Sequence, residues 1–415
     1  MSQQSRKFNP RIGLRATAAL AMVFALMAVL TPSARSQTLH VIHQFSGEDG
    51  QLPYAGLTSD AAGRLYGTTC GNFTSRYGTV FKLTPSGSSW VLTTLFTFPG
   101  GSDGGCPESR VIFGPEGRLY GTTTGGGSGC QICGTVFSLR PPLTACKTAL
   151  CPWTETILHA FSGYDGVEPM GDLNFDGAGN LYGTTYEGGV GGRGNVYELT
   201  PTGAGWTEND VYGFPEYGTL GNPSAGVMFD KAGNIYATAF GSYGGVFELT
   251  PSGGGWVFSE VYTLHGGVEG SGPRAGVLFD KAGNLYSATT KYGGGGGGTV
   301  FSLTPFDGYW TFSALYSFVG NGGPSANLFM DGAGNLYGTT FGDGAYGLGS
   351  VFKLAPGPSG WTYTSLYDFT GGDDGANPVS NVLFDAAGNL YGTASAGGNK
   401  NACFDGCGVV WEITP

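Results

Sequence analysis

Four of the chain's nine Asp-Gly dipeptides, at Asp49, Asp103, Asp165 and Asp374, stand at corresponding places in otherwise different stretches of the chain. Carboxylates repeated in this way could supply oxygen ligands to Ca²⁺ or polar contacts to a glycan. Calcium takes six to eight oxygens, and one carboxylate per loop is thin for it. Asp-Gly also suits a tight turn with no ligand at all. The turn reading is preferred, Ca²⁺ is kept as the alternative, and no cofactor is expected. A second set stands three residues after a recurring proline: Gly56, Arg110, Asp172, Gly226, Gly276, Asn327 and Asn381. Its polar members, Arg110, Asp172, Asn327 and Asn381, could line a shared opening. Equally, they could bond neighbouring elements together.

Acid–base and nucleophilic machinery is not recognisable. There are only four histidines, and none is paired at metal-ligand spacing. No Gly-x-Ser-x-Gly elbow occurs. A glycosidase needs two facing carboxylates, whereas the proline-led segments offer only Asp172, with Glu108 nearer an end. No catalytic residue is therefore assigned. The eight cysteines are even in number. After a secretory leader, that argues for disulfides. The close pairs are Cys130–Cys133, Cys146–Cys151 and Cys403–Cys407, with Cys70–Cys106 as the longest. A zinc site built from Cys130, Cys133, Cys403 and Cys407 is the rival reading.

The leader has the required parts. Arg6, Lys7, Arg11 and Arg15 precede an uncharged, largely apolar run from Ala16 to Leu30. Ala34-Arg35-Ser36 then places small residues at a cleavage site. The run is short for a membrane span, which takes about 20 residues. Residues 1–36 are read as a signal peptide and 37–415 as one repeat domain of a secreted protein, extracellular or periplasmic. Losing the leader removes five positive charges and moves the net charge from −11 to −16. So acidic a surface argues against nucleic acid and anionic membranes as partners. A glycan or a protein ligand stays open, and a monomer is expected.

These residues must be positioned by something, and the sequence names it. A phrase Gly-Arg/Asn-Leu/Ile-Tyr returns seven times, with tyrosines at 66, 120, 182, 236, 286, 337 and 391. After each comes Val-aromatic-x-aliphatic-x-Pro or a close variant, from Val80–Pro85 through Val410–Pro415. A tryptophan then opens the next strand, at 90, 153, 206, 256, 310 and 361. One unit thus holds four short strands, a to d. In the fifth they are expected near 275–279, 285–289, 299–303 and 310–318. Repeated four-stranded units of this length are propeller blades. The last unit stops after strand c, while Leu39–Gly47 matches an orphan strand d. The reading is an all-β, seven-bladed β-propeller whose ring is closed by the N-terminal outer strand, which leaves no open sheet edge.

The phrases "GNLYGTT", "GTVFKLTP" and "F-x-G-x-D-G-x-x-P" resemble the Gloeo/Verruco (GloVer) tandem repeat of secreted bacterial proteins. The resemblance covers nearly all of residues 38–415 and implies a secreted, propeller-like repeat protein. It lends no biochemical activity. Members commonly carry C-terminal anchor or sorting segments, and none is seen here. Hairpin turns alternate sides, so the a–b and c–d turns must share one face. The longer, variable b–c and d–a loops (70–78, 124–134, 186–194, 341–349 and 395–408 among them) must share the other. Function is expected on that second face. A non-catalytic binding or scaffold role is preferred, and a glycan-active hydrolase or lyase is the alternative.

Overall fold

Strand b shows why the repeat folds as it does. Its Leu-Tyr-Gly-Thr-Thr residues are buried throughout, at 65–69, 119–123, 181–185 and 336–340. A strand buried on both faces needs neighbours on both sides. In blade 1 strand a (Thr58–Ser59) and strand c (Thr79–Ser86) flank it, and strand d (Ser89–Thr97) lies beyond strand c, all antiparallel. The computed structural model describes residues 37–72, 77–142 and 153–414. The expected leader and the Cys146–Cys151 pair lie outside them.

The described strands form seven such sheets, one per repeat. In the seventh, Leu383–Phe384, Leu390–Ala394 and Val409–Thr414 are joined by Thr38–Gln44 as the outermost strand. The expected ring closure is therefore observed. Beyond the paired strand, the Phe45 amide donates to the Gly408 carbonyl at 3.1 Å and the Leu52 amide to the Cys407 carbonyl at 3.1 Å. Phe45 itself is wholly buried. Strand a is shorter than expected: in blade 5 only Leu278–Phe279 pair with strand b. The preceding residues, 273–277, bond to neighbouring blades instead.

Small residues in strand b have separate jobs. The glycine makes room, since a Cβ at Gly67 would lie 2.6 Å from the Phe81 ring, and one at Gly183 2.4 Å from the Tyr197 hydroxyl. The first threonine fastens each blade to the next. Thr68, Thr122, Thr184, Thr238 and Thr339 donate their hydroxyls to strand-a carbonyls of Pro107, Pro169, Ala225, Ala275 and Ser380. Thr393 of blade 7 donates to Ala55 of blade 1 at 2.9 Å, completing the circuit. Blade 5 has Ala288 at this position and makes no such bond.

Packing follows the same direction. Each tryptophan of strand d leans on a tyrosine of the preceding blade, as Trp206 does on Tyr120 and Trp256 on Tyr182. Trp90 meets Tyr391 across the closing seam at 5.9 Å. Buried clusters accordingly combine residues of two blades, such as Tyr182 and Val196 with Val227 and Ile235. A buried side chain of this size stabilises by roughly 1.5–3 kcal/mol. The core is thus a set of seams between blades.

The a–b turns are built by one aspartate each in six repeats, Asp60, Asp176, Asp230, Asp280, Asp331 and Asp385. Asp280 Oδ1 accepts from the amides of Ala282 and Asn284, and Oδ2 from the Asn284 side chain and the Tyr286 hydroxyl. Gly283 takes φ +87°, as the turn requires. Asp60, Asp331 and Asp385 repeat the arrangement, with Arg64 replacing the asparagine in blade 1. Partial burial raises these carboxyls, but the hydrogen bonds outweigh it and hold Asp60, Asp280, Asp331 and Asp385 below their ordinary value.

Two outcomes are expected. Deleting residues 37–47 opens the ring and removes Phe45 from its pocket, so the melting temperature should fall by about 10 °C or more. An unchanged value would refute closure by this strand. The lowered aspartate values mean that their stabilisation is complete above the unfolded value and is lost as pH falls through the folded one. A D280N/D331N/D385N variant should be less stable than the parent at neutral pH. Its stability should also change less below about pH 4, as urea unfolding across that range would show.

Candidate functional site

The b–c and d–a loops meet on one face, as the alternation of turns requires. Short bridges join them pairwise: Val167 to Glu187, Ser271 to Lys291 and Ala376 to Ala396. At the centre of this face the strand-a segments converge on the channel. The residue directly after each recurring proline points to its mouth: Tyr54, Glu108, Met170, Ser224, Arg274, Ser325 and Val379. This ring was missed at the level of sequence. Its signal was the opposite of a motif, because one position beside an invariant proline changes chemistry in nearly every repeat.

The mouth widens into a cavity of about 920 Å³. Lys291, Tyr292 and Phe341 from the loops of blades 5 and 6 form its wall. The rings of Tyr292 and Phe341 are well exposed, at 58% and 44%. Ser224 Oγ and Ser325 Oγ are buried and have no partner among the described residues. The Arg274 guanidinium lies 5.9 Å from the centre of the Phe240 ring. Glu108 is the acidic member of the ring. Burial, reinforced by the nearby Glu168 and only partly offset by Arg274, pushes its carboxyl up to about 7. A second cavity of about 890 Å³ adjoins the first, sharing Glu108 and Met170, and includes Glu168.

The second set of sequence candidates lies deeper in the same channel. Arg110 donates to Asp172 from its backbone amide at 2.9 Å and from Nε at 3.2 Å. Asn327, three blades further round, reaches the same carboxylate at 3.4 Å. Its Oδ1 accepts from the Gly276 amide at 2.6 Å. Asn381 leans over Gly56, where a Cβ would collide with it. These four residues are brought together, and three of them bond across the channel as its floor.

The Asp-Gly aspartates stand at the periphery, against strand d. Asp49 accepts from His43 Nε2 at 2.9 Å and from the Ser46 amide and hydroxyl at 2.8 and 2.9 Å. Asp165 repeats this with His159 and Ser162. Asp374 takes the Tyr367 hydroxyl at 3.0 Å and both donors of Thr370. Burial alone would raise Asp49, but its hydrogen bonds hold the carboxyl below the ordinary value. Asp103 differs, because strand d offers Phe96 there, and its carboxylate meets only Ser102. Glu269 does the same work in the loop after blade 5's neighbour, accepting from Tyr262 and His265. It was overlooked because the loop carries Glu-Gly where the others carry Asp-Gly. A spacing of six or seven residues after a polar ring would have found it.

The cysteines pair locally, Cys70 with Cys106, Cys130 with Cys133 and Cys403 with Cys407. The four sulfurs of the zinc alternative are here divided between two disulfides. Cys70–Cys106 joins a b–c loop of blade 1 to the entry of blade 2.

Residues 26–239, 150–323 and 238–415 match the Gloeobacter/Verrucomicrobia repeat. The chain belongs to that family. No curated protein matches its sequence. Among solved structures, this Gloeobacter/Verrucomicrobia repeat protein is similar to the extracellular domain of a protein assigned to the one-component systems of B. thetaiotaomicron. There the identity is 14% and the TM-score 0.56, over 91% of this chain and 40% of that one. A domain assigned to a hybrid two-component system of the same organism gives 13% and 0.56, over 90% and 39%. The repeat protein thus spans about two fifths of those chains. A protein assigned as a 6-phosphogluconolactonase from Bacteroides fragilis gives 13% and 0.48, over 88% and 89%. At these identities the likeness is one of fold. No helix among the described residues is long and apolar enough to cross a membrane.

Because three of the Asp-Gly carboxylates hold their own turns, truncation should register as lost stability. Asp374→Ala should cost about 1–2 kcal/mol in urea unfolding, with Asp103→Ala near neutral. Equal costs at the two sites would contradict the assignment.

Proposed function

We propose that this protein is a secreted, non-catalytic binding module that takes a glycan or protein ligand at the channel mouth on the b–c and d–a face. The carrying observation is the ring after the strand-a prolines. A ligand that needs an asymmetric site finds it where the blades differ, and that ring differs most. Its cavity falls within the usual size of small-ligand sites and combines exposed rings with a few polar groups. Ser224 and Ser325 offer hydroxyls with no partner among the described residues. The disulfides and the fold shared with extracellular domains support secretion. In this reading Arg110, Asp172, Asn327 and Asn381 form the floor under the ligand. Asp49, Asp103, Asp165 and Asp374 lie further out on the same face, with direct contact to a large ligand or a loop-holding role. No cation is needed for binding at the mouth.

One observation favours the glycan-active alternative. Glu108 and Glu168 share the adjoining cavity, and burial keeps Glu108 protonated nearer neutrality. A raised acid beside a second carboxylate is the arrangement a glycosidase uses.

A glycan array and a peptide library screened with the mature chain provide the test. Tyr292→Ala and Met170→Trp, which strip and plug the mouth, should each weaken a detected ligand at least about tenfold, or 1.4 kcal/mol. Asp280→Asn on the opposite face should leave it unchanged. Loss with Asp280→Asn alone would put the site on the wrong face. Release of reducing sugar by the wild type, abolished in Glu108→Gln, would replace the binding reading with the enzymatic one.

A further inference from the structure

Three of the seven outer seams between blades share one device, and the seam between blades 2 and 3 departs from it at both positions. In three successive seams a ring on strand d stacks on a ring on the next strand d. Tyr212 stacks on Phe258 at 4.5 Å, Tyr262 on Phe312 at 5.5 Å, and Tyr316 on Tyr363 at 4.3 Å. Between blades 2 and 3 the same two positions carry His159 and Glu208. Both rings of the pair are replaced by metal-ligating groups, and Asp165 joins them from the loop between. One ligand atom from each of the three lies within 4.8 Å of the other two.

The surroundings are arranged as they are around metal ligands. Asp165 Oδ1 is held by the Ser162 amide at 2.7 Å and hydroxyl at 2.9 Å, and Oδ2 faces His159 Nε2 at 2.8 Å. Such outer hydrogen bonds orient a ligating carboxylate. Glu208 Oε1 is buried and accepts no hydrogen bond among the described residues. Behind it Asn195, wholly buried, donates to the Asp165 carbonyl at 3.1 Å and to Asp210 at 2.5 Å, and its own Oδ1 is also unpartnered. No lysine or arginine forms an ion pair with Asp165, Glu208 or Asp210 among the described residues. A partly buried cluster rich in carboxylate and short of cations is completed by a cation.

We propose that His159, Asp165 and Glu208 bind a divalent transition-metal ion of the zinc type at the outer seam between blades 2 and 3. An imidazole with two carboxylates selects zinc-like ions over calcium, which takes oxygen ligands only. Zinc bonds of about 2.0–2.2 Å place ligand atoms roughly 3.4 Å apart, so closing the cluster needs only small side-chain movements. Three protein ligands leave a fourth position to water, on a side where His159 and Asp165 are about one-fifth exposed. The ion would bridge two blades where three other seams use stacked rings.

The protein carries its own control. His43, Asp49 and Ser46 reproduce the histidine–aspartate–serine geometry in the first seam, but the facing residue of the next strand d is Leu92. Two of the three ligands are present there and the third is missing. Tag-free mature protein titrated with ZnCl₂ by calorimetry should bind one ion per chain. Glu208→Leu, which copies the first seam, and Glu208→Gln, which keeps the side-chain shape, should each weaken binding at least tenfold. His159→Phe should abolish it, while His43→Phe should leave it intact, with circular dichroism confirming that all four variants fold. Absence of zinc binding by the wild type, binding that survives both Glu208 substitutions, or binding lost with His43→Phe would each overturn the proposal.

Discussion

No blade of this protein can bury its own face. Strand b is enclosed on both sides, yet each sheet supplies only half of the enclosure, and the next blade supplies the rest. The threonine hydroxyl that reaches the next blade's strand-a carbonyl, and the tryptophan that leans back on the preceding tyrosine, are the two expressions of that dependence. A chain of such units is satisfied only when the last meets the first. Thr393 on Ala55 and Trp90 on Tyr391 show that it does. The open edge that would otherwise remain is filled by Thr38–Gln44.

This dependence divides the residues by what they are free to do. Positions that face a neighbouring blade repeat almost without change, because the neighbour is always the same. Positions that face the channel mouth or the loop surface meet no such template. Tyr54, Glu108, Met170 and Arg274 occupy equivalent places and share no chemistry. The floor residues are intermediate: Arg110, Asp172 and Asn327 vary in type but satisfy one another, so the deeper channel is closed by its own hydrogen bonds.

The architecture was legible because it is periodic. Seven tyrosines, seven valines and an orphan strand d sufficed to place every blade and the closing strand. The loop face was legible from the alternation of turns. The length of strand a was not, because the proline-led residues look extended in sequence but spend their carbonyls on the preceding blade. The partners of Asp49, Asp165 and Asp374 were hidden for another reason. They depend on a ring six or seven residues earlier, so His43 and His159 read as substitutions in an aromatic column and Glu269 went unnoticed. The mouth ring was invisible to any search for recurrence.

Blade 5 breaks the circuit of hydroxyls. Ala288 stands where Thr68, Thr122, Thr184, Thr238, Thr339 and Thr393 reach their neighbours, so the seam from blade 5 to blade 6 is held by packing without that clasp. The large cavity lies over this same seam, walled by Tyr292 on one side and Phe341 on the other. Local opening of a folded protein starts where the fewest bonds must break. In this ring the seam without that clasp and the wall of the mouth cavity coincide. A wheel of repeats need not be fastened equally all round, and this one leaves its missing fastener beside its opening.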